Sequence, residues 1–275
     1  MRSKSWLHCV RTARLFSHSS ENSFQKLQTG KNGSEYIAYR KFVPSCPSKN
    51  VGVMFCQGFM SNMNGTKSLF LESYCKEKHI NFVTYDYLGH GSSTGKFEDF
   101  TVGLWKRNTL EVLNKVAEGP QILVGSSMGG WIMLLAAIEN PSKIQGLVGM
   151  AAAPDLMYHR YESISDQEKN ELSGSGYFLL PSDFAEQPLK LPFRIITDAK
   201  EQQVLNKKEI CYDGPVRLIH GVDDSTVPYS YSMTISEKLR STNVSVHLIK
   251  DGDHQLSRNS DLKFLSNVLD QLIFS

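Results

Sequence analysis

What this chain of 275 residues has little of narrows its chemistry first. Cysteine occurs five times, at Cys9, Cys46, Cys56, Cys75 and Cys211, with no CxxC pair and no metal-binding spacing. Scattered thiols fit a reducing compartment better than a disulfide framework. Cys56 closes an apolar run and reads as a small buried side chain, not a nucleophile. Long apolar stretches are missing too. The run Trp131 to Ile138 is far too short to cross a bilayer, so no transmembrane segment is expected. No basic stripe is present, which excludes the electrostatic footprint of a nucleic-acid partner.

The first twenty residues lack acid altogether. They hold Arg2, Lys4, Arg11 and Arg14, five serines, and the apolar residues Trp6, Leu7, Val10, Leu15 and Phe16. The basic residues interrupt the apolar ones, which argues against a secretory signal. A segment rich in Arg and Ser and free of acid predicts a mitochondrial transit peptide over residues 1–20, with the matrix as destination. Arg14-Leu15-Phe16-Ser17 resembles a matrix-processing site, with cleavage after Phe16. Four of the 30 basic residues lie in this leader and none of the 28 acidic ones, so residues 21–275 are slightly acidic.

Hydrophobic residues make up 40% and charged residues 21%, ordinary values for one large α/β domain with a substantial core. Apolar runs and helical patterns alternate. Val51–Cys56, Asn81–Tyr85, Gln121–Gly125, Gln145–Met150, Pro215–His220 and Val244–Ile249 read as strands. Asn64–Glu77, Thr101–Glu118, Ser127–Asn140 and Ser260–Ile273 read as helices. Short, continuously apolar strands between helices predict a mostly parallel sheet covered on both faces. Phe24–Gln28 and Tyr36–Tyr39 predict an antiparallel edge hairpin that turns through Lys31-Asn32-Gly33. From Pro154 to Asp213 no clear strand is visible. Helix-like patterns, Gly174, Gly176, Pro181, Pro188 and Pro192 fill a stretch too long for a connection. It reads as a helical cap inserted between two strands.

The strongest chemical signal is Gly125-Ser126-Ser127-Met128-Gly129. It fits G-x-S-x-G and falls between a strand and a helix, the context that makes Ser127 a nucleophile candidate. Side chains at 125 and 129 would collide in so sharp a turn, hence the glycines. A serine hydroxyl is a weak nucleophile and needs a base. In this architecture the acid and then the histidine follow the serine, on loops after later strands. Among eight histidines, His254 follows the last strand. His220 ends a strand and reads as a buried structural residue, and His90 lies in an early turn. The acid after Pro215–His220 is either Asp223 or Asp224. It would hold the imidazole tautomer and stabilise the imidazolium. An oxyanion hole needs two backbone amides. One is expected from Met128, the other from the loop after Val51–Cys56.

Larger segments extend the motif. They are Ser61-Asn-Met-Asn-Gly-Thr-Lys67, the stretch Tyr85–Gly95, the stretch Pro120–Trp131 and Arg217-Leu-Ile-His-Gly221. Together they resemble the α/β-hydrolase domain-containing-10 family, mitochondrial enzymes described as acyl-protein thioesterases and acyl-glucuronide esterases. The resemblance runs from about Ser34 to the C-terminus. It is most specific in the Ser61–Lys67 loop and the elbow, and weakest in the cap. It implies an α/β-hydrolase fold, no metal or organic cofactor, and a triad of Ser127, Asp224 and His254. Gly221-x-x-Asp224-x-x-Val227-Pro228 resembles the acid loop common in this fold, which favours Asp224 over Asp223. Gln57-Gly58-Phe59 resembles the His-Gly-x turn of many relatives, so the Phe59 amide is the second oxyanion candidate. Gln57 departs from the usual histidine there.

Acyl transfer to water is therefore the first expectation, on an acylated protein or a small acyl ester. A small-ester carboxylesterase or serine peptidase on the same scaffold is the alternative, because fold does not set substrate. A binding protein that has lost catalysis is the third reading, and the filled triad positions argue against it. Cap residues Leu156, Met157, Tyr158, Tyr161, Tyr177, Phe178, Leu179, Leu180 and Phe184 are candidates for an acyl pocket or for packing on the sheet edge. The sequence carries no signal of oligomeric state.

Overall fold

In the computed structural model, which describes residues 23–180 and 189–274, the chain opens on an antiparallel hairpin. Its strands are β1 (Gln25–Thr29) and β2 (Glu35–Phe42). There follow β3 (Gly52–Cys56), α1 (Thr66–Lys78), β4 (Asn81–Tyr85), α2 (Val102–Lys115), β5 (Gln121–Ser126), α3 (Met128–Glu139) and β6 (Ile144–Met150). Next come α4 (Leu156–Glu162), α5 (Asp166–Ser175), β7 (Tyr177–Leu180), β8 (Leu189–Pro192) and α6 (Arg194–Glu201). The fold closes with β9 (Val216–Gly221), α7 (Ser230–Lys238), β10 (Val244–Ile249) and α8 (Asn259–Phe274). The leader at residues 1–20 and Phe184 lie outside the described residues.

Eight strands form one sheet in the order β1-β2-β4-β3-β5-β6-β9-β10. Only the β1–β2 and β2–β4 pairings are antiparallel. The side chains explain why the strands read as unbroken apolar runs. Along β5, Leu123 faces one core cluster while Ile122 and Val124 face the other, the two-residue period of a strand buried on both sides. Trp105 and Trp131 fill the first cluster, and Leu71 and Leu265 belong to the second. Burying a leucine such as Leu71 or Leu265 stabilises the fold by about 1.5–3 kcal/mol.

The topology also sets the site. From β3 the chain crosses through α1 to β4 on one side, then returns through α2 to β5 on the other. Where crossovers reverse, the loops leaving the two strands open a crevice at their carboxyl ends. Cys56 and Gly125 are register partners, so the loops after β3 and β5 emerge side by side.

Between β6 and β9 the structure differs in part from the expectation of helices alone. Three helices are there, but so is an antiparallel hairpin, with Tyr177 opposite Pro192. Its strands are four residues each, too short for alternation to show in the sequence. α7 is likewise a helix that the apolar pattern did not reveal. No described helix is long and apolar enough to cross a membrane.

Candidate active site

β5 ends in a turn that costs conformational energy. Ser127 has φ 53° and ψ −120°, a region that a residue with a Cβ occupies at roughly 1–3 kcal/mol. The surroundings enforce it. The Ser127 N–H donates to the Met150 carbonyl at 2.9 Å. Its own carbonyl accepts from Gly130 at 2.9 Å and Ala153 at 3.1 Å. The two motif glycines let the backbones meet. A Cβ at Gly129 would stand 2.0 Å from the Cys56 carbonyl oxygen, and one at Gly125 would stand 2.5 Å from that of Gly129. The turn thus presses the start of α3 against the end of β3.

Three side chains from distant loops meet here. His254 Nε2 lies 3.1 Å from Ser127 Oγ, and His254 Nδ1 lies 2.8 Å from Asp224 Oδ2. The Asp224 side chain is fully buried, and its Oδ1 accepts from the Thr226 and Val227 amides at 2.9 and 2.8 Å. Asp223 is exposed, and its amide donates to the Gly252 carbonyl. Of the two adjacent aspartates, the structure brings only Asp224 to the histidine. Burial pushes the Asp224 carboxyl up. Bonds from His220, His254 and the Val227 amide outweigh it and hold the group well below the usual carboxylate range.

His220 contributes more than the sequence indicated. It is fully buried, as expected of a histidine at a strand end. Its Nε2, however, faces two acceptors, the Val227 carbonyl at 3.0 Å and Asp224 Oδ2 at 3.2 Å. Nε2 must therefore carry the proton, leaving Nδ1 to accept from the Ser232 hydroxyl at 2.7 Å. His220 stands four residues before Asp224, at the mouth of the same loop.

The loop after β3 runs beside Ser127. A Cβ at Gly58 would lie 3.6 Å from that of Ser127. Gln57 anchors this loop in a way the sequence did not disclose, donating to the Tyr85 carbonyl at 2.8 Å and to buried Asp86 at 2.9 Å. Phe59 packs edge-on against Phe97 and Trp105 at 5.0 and 6.2 Å. The following N–H, of Met60, donates to His90 Nε2 at 3.3 Å. Burial lowers the His90 pKa to about 4, so the ring is neutral and able to accept that bond. Across the crevice Met128 opens α3, where the first amides of a helix have no carbonyl partner within it.

Among the described residues, no group of three or more His, Cys, Asp or Glu is arranged to hold a metal ion. The four described cysteines are free. Burial pushes the Cys56 thiol up to about 12, which keeps it protonated and unreactive.

A family model described as the alpha/beta hydrolase fold matches residues 53–171. The chain is 38% identical over 238 residues to mouse (Mus musculus) "Palmitoyl-protein thioesterase ABHD10, mitochondrial", covering 86% of this chain and 78% of that protein. It is 37% identical to the human (Homo sapiens) protein of the same name, covering 86% and 76%. The solved structure of "Alpha/beta hydrolase domain-containing protein 10 from mouse" superposes with a TM-score of 0.84 at 37% identity, over 91% of this chain and 98% of that one. With its sheet order, its glycine-flanked Ser127 and these relatives, the chain belongs to the α/β-hydrolase family, in the ABHD10 branch.

Proposed function

We propose that this protein is a mitochondrial serine hydrolase that removes acyl groups from thioesters, S-palmitoylated proteins among them, and from esters such as acyl-glucuronides. The observation that carries the reading is the hydrogen-bonded series Ser127–His254–Asp224. The relatives' names support the thioester and the mitochondrial location, and the acid-free leader supports matrix delivery.

In this mechanism Ser127 Oγ attacks the acyl carbonyl carbon while His254 Nε2 takes its proton. Asp224 stays ionised, keeps Nδ1–H pointed at itself and stabilises the imidazolium. The carbonyl oxygen becomes an oxyanion facing the Phe59 and Met128 amides, a contribution of about 2.7–4 kcal/mol per donor in a comparable site. Collapse breaks the carbon–sulfur or carbon–oxygen bond. The leaving thiolate or alkoxide receives the His254 proton, and the acyl group stays on Ser127. Water then attacks the acyl-enzyme, with His254 again taking the proton; collapse breaks the bond to Ser127 Oγ, which recovers that proton as the free acid leaves. The triad does not choose between leaving groups. That choice falls to the cap at about 154–213, whose Met157, Tyr158 and Tyr161 pack at the edge of the core. Apolar walls discriminate by only about 1–3 kcal/mol per methylene, so several acyl groups should be accepted.

The test is labelling with a fluorophosphonate, followed by turnover of a palmitoyl thioester, an acyl-glucuronide and a peptide amide. Ser127→Ala should lose labelling and all turnover. Wild type should cleave the first two substrates and leave the amide intact. Normal turnover by Ser127→Ala overturns the mechanism, and preferential amide cleavage would make the protein a peptidase.

A further inference from the structure

Lys67 sits where a lysine is least expected. It is the second residue of α1, and the positive end of the helix dipole disfavours an ammonium there. No acidic residue in that first turn offsets it. The side chain is also half-buried, and burial, opposed by Asp253 and Asp261, lowers its pKa to about 8. A residue that breaks local rules in this way points to a gain elsewhere in the structure.

The gain lies on the loop that carries His254. Lys67 Nζ donates to the Gln255 carbonyl and to Ser257 Oγ, the latter at 3.2 Å. These two groups flank Leu256, which is fully buried and has φ 43°. A leucine in the left-handed region persists only where its surroundings over-determine it. Lys67 holds both sides of that strained residue, two positions beyond His254. The other end of the tether is firm. Met63 donates to Asp86 Oδ1 at 2.7 Å, and Arg40 reaches the Met63 carbonyl at 2.8 Å and Asn64 Oδ1 at 2.6 Å. One ammonium therefore joins the segment that descends from Phe59 to the segment that presents His254. The Ser61–Lys67 segment ends on this lysine.

We infer that Lys67 is a positioning residue, which fixes the His254 imidazole over Ser127 by gripping the Gln255–Ser257 turn. The inference rests on His254 serving as the base for Ser127. His254→Ala therefore accompanies the test: an active His254→Ala overturns that assignment itself, whereas an inactive one leaves Lys67 to be judged alone. Lys67→Met keeps the stem and removes the donors. Misplacing a catalytic group by about 1 Å can cost about a hundredfold, so kcat for a short p-nitrophenyl ester should fall about tenfold to a hundredfold with KM little changed. Fluorophosphonate labelling of Ser127 should slow by the same factor, and the low-field proton resonance of the His254–Asp224 bond should move or broaden. Lys67→Arg should retain most of the activity. Ser257→Ala, which removes one acceptor, should show a smaller loss confined to kcat and serves if Lys67→Met does not fold. A folded Lys67→Met with kcat within twofold of wild type overturns the proposal. So does a loss confined to KM, or an unchanged Ser257→Ala where that variant is the one read. A purely structural lysine would lower the melting temperature and leave both kcat and the proton resonance in place.

Discussion

α3 and α5 are similar in length, twelve and ten residues, yet they are held in place by opposite means. α3 buries every residue from Met128 to Ala137 and has no side-chain cap. α5 buries none. It is closed instead by a capping box between Ser165 and Glu168 and by left-handed Gly176 at its C-terminus. Gly129 and Gly130 make α3 a poor helix by propensity, so tertiary packing must form it. α5 is specified by its own ends. Packing of the first kind holds Ser127 in a strained conformation but tolerates no added atom. Local specification of the second kind lets α5 vary without disturbing the elbow. The Ser127 side should therefore be brittle and the α5 side forgiving.

The sharpest way to break that contrast is at the acid. Asp224→Asn should lower kcat by about 10⁴-fold, the loss known for the corresponding change in a serine protease with such a triad. Asp223→Asn, on an exposed side chain one residue away, should leave kcat nearly unchanged. Steady-state kinetics on one ester checks the pair, and the reverse ranking would move the acid to Asp223. The same residue sets an acid dependence. Its folded pKa lies below the unfolded value of about 3.9, so its stabilisation is full above that pH and is lost as pH falls. Acid unfolding of Asp224→Asn should consequently be less steep below about pH 4 than that of wild type.

Next in size is Gly129→Ala. The new methyl would overlap the Cys56 and Gln57 carbonyl oxygens, which are backbone and cannot swing away. Urea unfolding should show a loss of about 3 kcal/mol or more. His220→Ala removes a partner of the buried Asp224 carboxylate and should cost about 1.5–3 kcal/mol in the same assay. The smallest effect belongs to α5. Ser165→Ala should weaken that helix by about 0.5–2 kcal/mol, visible as faster amide exchange in α5, with turnover of a small ester unchanged. A large loss of turnover from Ser165→Ala would mean that the two regions are coupled.

These differences also mark how far the sequence could be read. The central strands were legible because both faces are buried and the apolar runs are unbroken, as in β3 and β5. Ser127 was legible because its conformation demands Gly125 and Gly129 in a fixed spacing. His254 was legible from its position after the last strand. The choice of Asp224 over Asp223 needed a resemblance, because adjacent aspartates differ only in which one the turn buries. β7, β8 and α7 escaped because elements of four to nine residues carry too few positions for a period to emerge. His220, Gln57 and Lys67 escaped for another reason. Each acts through bonds that a sequence pattern does not single out: His220 to Asp224 and the Val227 carbonyl, Gln57 to Asp86 and the Tyr85 carbonyl, Lys67 to the Gln255 carbonyl and Ser257.

The central claim is that an acyl group rests on Ser127 between two half-reactions. Rapid acid quench during turnover of a palmitoyl thioester, followed by peptide mass analysis, tests it directly. One palmitoyl group is expected on the peptide that carries Ser127, and none on that peptide from Ser127→Ala. Turnover in wild type with no acylated Ser127 peptide under conditions that trap a known acyl-enzyme, or an acyl group found on a different residue, would contradict the account.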